Sequence, residues 1–599
     1  MVLRMNASRL LLILGVLALA GCASIASVRR AQQDATVANQ RADQDEAKIQ
    51  ALQTQLTALH AQLSSELDTV NSQAADTKAA LANVQATATS AQQNAQAALA
   101  QVDRTQQAVN LAIAGRTRSA VSRNPDSDAD RIYSQLVADA RNAAAHPYKA
   151  IAENTPAALL QLNSKTYSSI NWLGSVPGWP DTSRFRLGFQ PAGYIYKQGV
   201  QVHLVEGTQE ETLNFTPAEF SLPTDAAKAL PKTIPVAGVN FFYRFGTATA
   251  VKQFLSFLGA SYFRGLGQDQ WWGLSARGLA VDTAVPDTPE GFPSFHAFWI
   301  VVPPPGSPTL TVLAQLDGPN VTGAYRFVIT PSANTSMEVT AALFLRHSVK
   351  RLGLAPLTSM FLQGPTSAKR FDPLHPSIHD SGGLQILDGR GHWLWHPLDN
   401  PERLSLVSFP LTNPAGYGLM QRDRNFSDYQ FVDRHYQDRP SAWITFGGNW
   451  GAGAIDLIEI PSRNADDDNI VAFWEPKTMP PPGQPLVLHY TIEWQGAQQT
   501  LPTLAWTSET RVDHSSGVTR IFSVYFNGGE LGTLPDWIAL QPDIQVGKDD
   551  QVSDVTLVKL PNSSRWRLRF TVKGAAGGRI DARVSYNGRL LTEDWNWGG

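Results

Sequence analysis

Arg565-Trp566-Arg567-Leu568-Arg569-Phe570-Thr571-Val572 sets an aromatic or aliphatic residue at every second position and Arg or Thr between them. A period of two places one set on each face of a strand, so this stretch predicts a half-buried β-strand. A little further on, Asn587-Gly588 separates two short β-prone runs. That dipeptide accepts the positive φ angles a tight hairpin needs. Upstream, Thr309 to Leu316 and Ser336 to Leu345 are β-branched and apolar runs of strand length, bounded by Pro, Gly and Asn. The pattern predicts a large β-sandwich over residues 131–495 and an Ig-like sandwich over 496–599. The Pro-rich stretch Met479 to Pro485 reads as a junction.

The N-terminal part is of another kind. Arg4 and Arg9 precede an apolar run from Leu10 to Leu19 that is too short to span a bilayer and has the form of a secretory signal. It ends in Leu19-Ala20-Gly21-Cys22, which looks like the lipobox of an exported lipoprotein. Residues 1–21 are then the signal peptide, Cys22 carries the lipid, and several acyl chains hold the protein to a membrane. Ala23 after the cysteine, by analogy with known sorting rules, favours the outer over the inner membrane of the periplasm. Cys22 is the only cysteine, so the lipidated chain has no thiol left for a disulfide, a zinc-cysteine site or a nucleophile.

From 22 to 115 the chain is rich in Ala and Gln, and apolar residues recur at Ile49, Leu52, Leu56, Leu59 and Leu63. After one stutter through Leu67 the rhythm continues at Val70, Ala74, Leu81 and Val84 and beyond. Such a heptad seam predicts an α-helical coiled coil, about 130 Å long, that joins copies of the chain into a homo-oligomer. Residues 116–130, with Pro125 and several Ser and Asp, read as a hinge. Ser127 is placed to cap a helix from Asp128 to Ala145.

The net charge of −3 leaves no basic footprint for nucleic acid. Asp466-Asp467-Asp468 lacks the Gly and distal Glu of a calcium loop and taken alone reads as a solvated acidic turn. His379-Asp380-Ser381 is no catalytic triad, because adjacent residues point to different sides. Gly273-Leu274-Ser275-Ala276-Arg277 misses the last glycine of a nucleophile elbow. Nothing in the sequence calls for a metal or another cofactor. The sixteen tryptophans suit a core but also stacking on sugar rings.

Longer motifs carry a family likeness. They include Gly259-Ala260-Ser261-Tyr262-Phe263-Arg264, Gly273 to Ala280, Leu352 to Phe361, His379-Asp380-Ser381, Trp393-Leu394-Trp395, Arg439-Pro440-Ser441-Ala442-Trp443 and Asp468-Asn469-Ile470-Val471-Ala472. With them the chain, from Pro147 on, resembles the periplasmic glucan biosynthesis proteins G and D. The resemblance implies a galactose-mutarotase-like supersandwich joined to an Ig-like domain. It also implies an inverting β-1,2-glucanase, with Asp468 as general acid and Asp380 as base, and proton transfer relayed through waters or a substrate hydroxyl. Inversion needs one protonated carboxyl on the leaving oxygen and one carboxylate to activate water from the other face.

The resemblance implies substrate contact at Tyr436 and Arg439; Trp393, Trp395 and Trp443 read as core residues or as sugar platforms, and Gly416 to Arg424 reads as a mobile loop that the resemblance makes a lid. Where the family has Asn before the acid, this chain has Asp467, whose charge would raise the pKa of Asp468 if both faced the cleft. Gly382 likewise replaces a polar residue and would loosen the loop beside the base. Two other readings remain open at this point: a scaffold that holds glucan without cleaving it, and a transglycosylase.

Overall fold

The computed structural model describes residues 27–41, 43–50, 52–68, 72, 128–246, 250–304, 306–497, 499–516, 518–574 and 578–598. Cys22, the hinge up to Ser127 and the stalk beyond residue 72 lie outside the described residues. Residues 27–41, 43–50 and 52–68 are helical, and the seam residues Ile49, Leu52, Leu56, Leu59, Leu63 and Leu67 are all exposed on this single chain. Among the described residues no helix is long and apolar enough to cross a membrane. The stalk belongs to one unit and the β-rich body to another.

The body opens with the helix Asp128–Ala144, so the proposed hinge gives way to helix three residues before its expected end. Ala129, Ile132, Leu136, Ala140 and Ala144 recur at steps of three and four and are buried. They pack on Val205, Leu313, Ala324, Ala342 and Phe344, on one face of a large sheet. The strands Leu310–Asp317 and Thr335–Leu345 in that sheet match the two β runs read from the sequence to within a residue.

Two sheets make the sandwich. One has ten strands and runs from Phe185–Pro191 at one edge, through Val236–Tyr243, Lys252–Leu258, Tyr262–Gly265 and Ser275–Arg277, to Ser405–Thr412 at the other. The second has fifteen strands. Phe185, Phe189, Phe241, Phe257, Phe263, Phe327, Trp474 and Trp494 fill the space between them. This is the large β-sandwich that the strand patterns implied.

The C-terminal sandwich is built differently from a bead on a string. One of its sheets joins Trp506–Ser516, Thr519–Asn527, Trp566–Lys573 and Gln551–Lys559. Trp566, Leu568, Phe570 and Val572 are buried there, as their alternation requires. The hairpin turn falls at Asn587 and Gly588, with φ of 49° and 76°. The facing strands, Gln541–Val546, Ile580–Tyr586 and Asp594–Trp597, are part of the fifteen-stranded sheet itself. A parallel pairing of Trp393–Pro397 with Asp594–Trp597 makes the join. One sheet therefore serves both sandwiches.

That continuity corrects several sequence expectations. Met479 to Pro485 is no domain junction, because the strand after it, Pro485–Gln495, lies between Thr335–Leu345 and Ser441–Phe446 inside the large sheet. Trp395 and Trp443 are buried with Met420, Phe522, Phe570 and Trp595 in the second core, and Trp393 packs against that core, its ring 5.8 Å from Trp443. These three rings hold the two sandwiches together. Nor is Gly416 to Arg424 a lid. Gly416–Met420 is a fully buried strand, in which a Cβ on Gly416 would lie 2.6 Å from the Trp443 ring. Arg422 is buried under the C-terminal sandwich, with Nη1 and Nη2 donating to Glu593 at 2.6 and 3.0 Å. Its guanidinium lies 3.7 Å from the centre of the Trp395 ring.

Candidate functional site

Asp468 closes a loop that leads into the strand Ile470–Pro476. The loop is held from within. The Ser462 hydroxyl donates to Asp467 Oδ2 at 2.8 Å and the Asn464 amide to Oδ1 at 3.3 Å, while Arg434 Nη1 donates to Asp466 Oδ1 at 3.1 Å. Of the three adjacent carboxylates, only Asp468 reaches the groove on the outer face of the ten-stranded sheet. There Arg264 Nη2 donates to its Oδ2 at 3.3 Å, and Arg264 Nε donates to the Ser275 hydroxyl at 2.6 Å. Burial pushes the Asp468 pKa up, Arg264 pulls against it, and the Asp467 charge adds a small upward contribution. Asp467 thus acts on Asp468 from outside the groove.

Asp380 follows the two-residue strand Ile378–His379, which pairs with Phe361–Gln363. It is 4% exposed, and its backbone N–H donates to Met360 O at 2.8 Å. Arg439 Nη1 donates to its carboxylate. Arg439 is itself fixed by Nε and Nη2 on Arg434 O at 3.2 and 3.0 Å, and its guanidinium lies 4.2 Å from the centre of the Tyr436 ring. Tyr436 is buried beside Tyr429, with its phenol pushed up to about 12 by burial. It stands as a platform under Arg439.

Burial raises the Asp380 pKa as well. Arg439 opposes the rise and the charge of Asp468 adds to it, so the two carboxylates feel one another. His379, stacked on Phe361 with ring centres 5.0 Å apart, is held neutral with its pKa lowered to about 3 by burial. The Ser381 hydroxyl meets that of Ser359 at 2.8 Å. The three side chains of His379-Asp380-Ser381 thus face three different environments. Gly382 does not loosen this turn, because its N–H donates to Met420 O at 2.8 Å and its carbonyl accepts from Leu398 N at 3.1 Å.

One side chain couples the two halves. Asn469, next to Asp468, accepts from Phe361 N at 2.8 Å and donates to Phe361 O and Ile460 O, both at 3.0 Å. Phe361 begins the strand that pairs with Ile378–His379. Asn469 therefore clamps the loop of Asp468 to the strand pair that carries Asp380.

The groove holds about 590 Å³ and is lined by Tyr196, Ser256, Tyr262, Arg264, Trp272 and Asp468 among others. Beside Arg439 stands Trp271, 47% exposed and stacked on His435 with ring centres 4.2 Å apart. The loop from Trp271 to Gly273 can lie close because a Cβ on Gly273 would already be 3.0 Å from Arg439 Cβ. Sequence reading passed over Trp271, Trp272, Tyr196 and Arg264. The tryptophan doublet was the available signal, whereas nothing local marks Arg264 as the partner of a residue 204 positions away. Among the described residues no cluster of three or more His, Cys, Asp or Glu side chains is arranged to hold a metal ion.

Fold and site together define a two-sheet sandwich protein with two arginine-paired carboxylates, Asp380 buried and Asp468 on a polar, aromatic groove. The sequence model of a family described as periplasmic glucan biosynthesis protein, MdoG, matches residues 132–598, and the chain belongs to that family. It is 38% identical over 454 residues to glucans biosynthesis protein G of Pseudomonas putida strain W619, covering 73% of this chain and 78% of that one. Over 480 residues it is also 38% identical to the protein of that name from Ralstonia nicotianae, covering 77% of this chain and 94% of that one.

Proposed function

We propose that this protein hydrolyses β-1,2-glucan in the periplasm with inversion, Asp468 protonating the leaving oxygen and Asp380 activating water. The observation that carries the reading is the pair of arginine-held carboxylates, Asp380 buried and Asp468 open to the groove, whose pKa values are both raised by desolvation, that of Asp380 further by the charge of Asp468. An acid must keep its proton near neutrality, and the upward shift of the Asp468 pKa leans toward that form. A base must ionise, and the Arg439 contact favours the charged form of Asp380. Trp272, which lines the groove, and the exposed Trp271 next to it in the chain offer apolar faces to sugar rings.

Reducing-sugar release from linear β-1,2-glucan tests the proposal, with Asp468→Asn and Asp380→Asn alongside. Product from the unaltered chain and none from either variant supports both roles. Full activity in Asp468→Asn would remove it as the acid. A second reading, glucan holding without cleavage, has one feature in its favour: Asp468 and Asp380 each carry an arginine partner, so neither carboxylate is free. Binding without product would decide for it.

On this reading Cys22 anchors the protein by lipid, at the outer membrane more than the inner, and the stalk gathers several bodies at one place. Recovery of the unaltered protein in the soluble periplasmic fraction, or an unchanged membrane fraction in Cys22→Ser, would overturn the anchor.

A further inference from the structure

Strand alternation divides the first strands of the ten-stranded sheet cleanly. Phe185, Leu187, Phe189, Val239 and Phe241 point into the core, which sends Gly188, Gln190, Asn240 and Phe242 to the opposite face. On that face the register places Gly188 beside Asn240, Asn240 beside Ser256, and Ser256 beside Arg264. Two side-chain bonds tie neighbours on this face: Ser256 Oγ donates to Asn240 Oδ1 at 2.7 Å, and Arg264 Nε donates to Ser275 Oγ at 2.6 Å. A polar track thus crosses the sheet, from the arginine that holds Asp468 to the strand Phe185–Pro191. It spans three interstrand spacings, about 14 Å.

At its far end lies a second hollow of about 500 Å³, lined by Asn171, Trp172, Trp179, Gln190, Asn240 and Gln253 among others. Gln253 lines this hollow and the Asp468 groove alike, so the two adjoin. Four carboxamides and two indole rings provide hydrogen bonds and flat apolar faces, and the two charged residues of the lining, Asp181 and Arg186, are of opposite sign. The one guanidinium, Arg186, is taken up by the carbonyls of Ser183 and Asp181 at 2.6 and 2.9 Å and by that of Phe185 at 2.8 Å. An anion would find no free cation here. Gly188 leaves room for the Phe242 ring, since a Cβ there would be 2.8 Å from it.

We propose that this hollow is a remote subsite for a neutral glycan, holding the far part of the same chain whose reacting part occupies the Asp468 groove. The inference rests on the glucan reading above and adds selection by chain length: a chain long enough to reach the hollow gains a second, tethered contact.

Calorimetric titration of the full chain carrying Asp468→Asn, with a long and a short linear β-1,2-glucan, tests it. The long chain should bind about tenfold tighter or more. Adding Asn171→Ala and Gln190→Ala, which line the hollow and not the Asp468 groove, should bring the long chain close to the short one and leave the short one unchanged. The Gln190 amide makes only a long contact to Tyr167 O at 3.5 Å and that of Asn171 only a local one to Ser169 O at 3.0 Å, so the fold does not rest on either. Equal affinity for both lengths, or a length preference that survives the double change, overturns the subsite. Failure to bind either glucan overturns both the subsite and the glucan reading. A length preference lost in the double variant, in a protein that cleaves neither chain when Asp468 is intact, supports the subsite and removes only the hydrolysis.

Discussion

Replacing Asn469 with alanine should damage stability and reaction together. The amide satisfies three backbone groups, Phe361 N, Phe361 O and Ile460 O. Ile460 is 37% exposed, so water can reach its carbonyl once the amide is gone. The two groups of Phe361 are buried, and each orphaned polar group costs about 1–3 kcal/mol. The expected loss is about 3 kcal/mol, read as a shift of the guanidinium midpoint at unchanged slope, followed by tryptophan fluorescence. The second effect is geometric. Asp468 and Asp380 are tied through this one side chain, and a displacement of about 1 Å in a reacting group costs about a hundredfold in rate. Asn469→Asp should be at least as harmful, because it keeps an acceptor for Phe361 N but sets a carboxylate oxygen against two carbonyls. A variant Asn469→Ala that loses less than about 1 kcal/mol, or that matches the unaltered chain in glucan cleavage, would refute the clamp.

Three further outcomes are expected. Arg422→Leu leaves Glu593 charged and buried between the sandwiches and should lose about 3–5 kcal/mol in the same denaturation assay. Glu459 and Asp399 are pushed up by burial to about 8 and about 6, against ordinary values of 4.5 and 3.8. The folded body then keeps protons that the unfolded chain has already lost, so stability from these groups is full below about pH 4 and falls as pH rises to about 8. Glu459→Gln should remove up to about 5 kcal/mol of that decline, at 1.36 kcal/mol per pKa unit, seen as a flatter plot of melting temperature against pH. Leu56→Asp with Leu63→Asp places charge in the exposed seam; sedimentation should show an oligomer for the unaltered chain and a monomer for the variant, with the fluorescence of the body unchanged.

Local pattern determined much of this protein. The alternation around Trp566 to Val572, the Asn587-Gly588 turn and the two β runs at 310–317 and 335–345 became the strands and hairpin they implied, because each depends on a few neighbouring residues. The motifs around Asp380 and Asp468 were legible for the same reason. Tertiary structure decided what each stretch touches. Trp395, Trp443 and Gly416 to Arg424 look, in sequence, like the aromatic and glycine-rich parts of a sugar site. They are buried instead, because the parallel pairing of Trp393–Pro397 with Asp594–Trp597 brings the chain end across them and makes one sheet of two domains. The partners of the two carboxylates, Arg264 and Arg439, stand 204 and 59 positions away. No periodicity records such distances, since they are set by which strands lie side by side in a sheet and not by the order of residues along it.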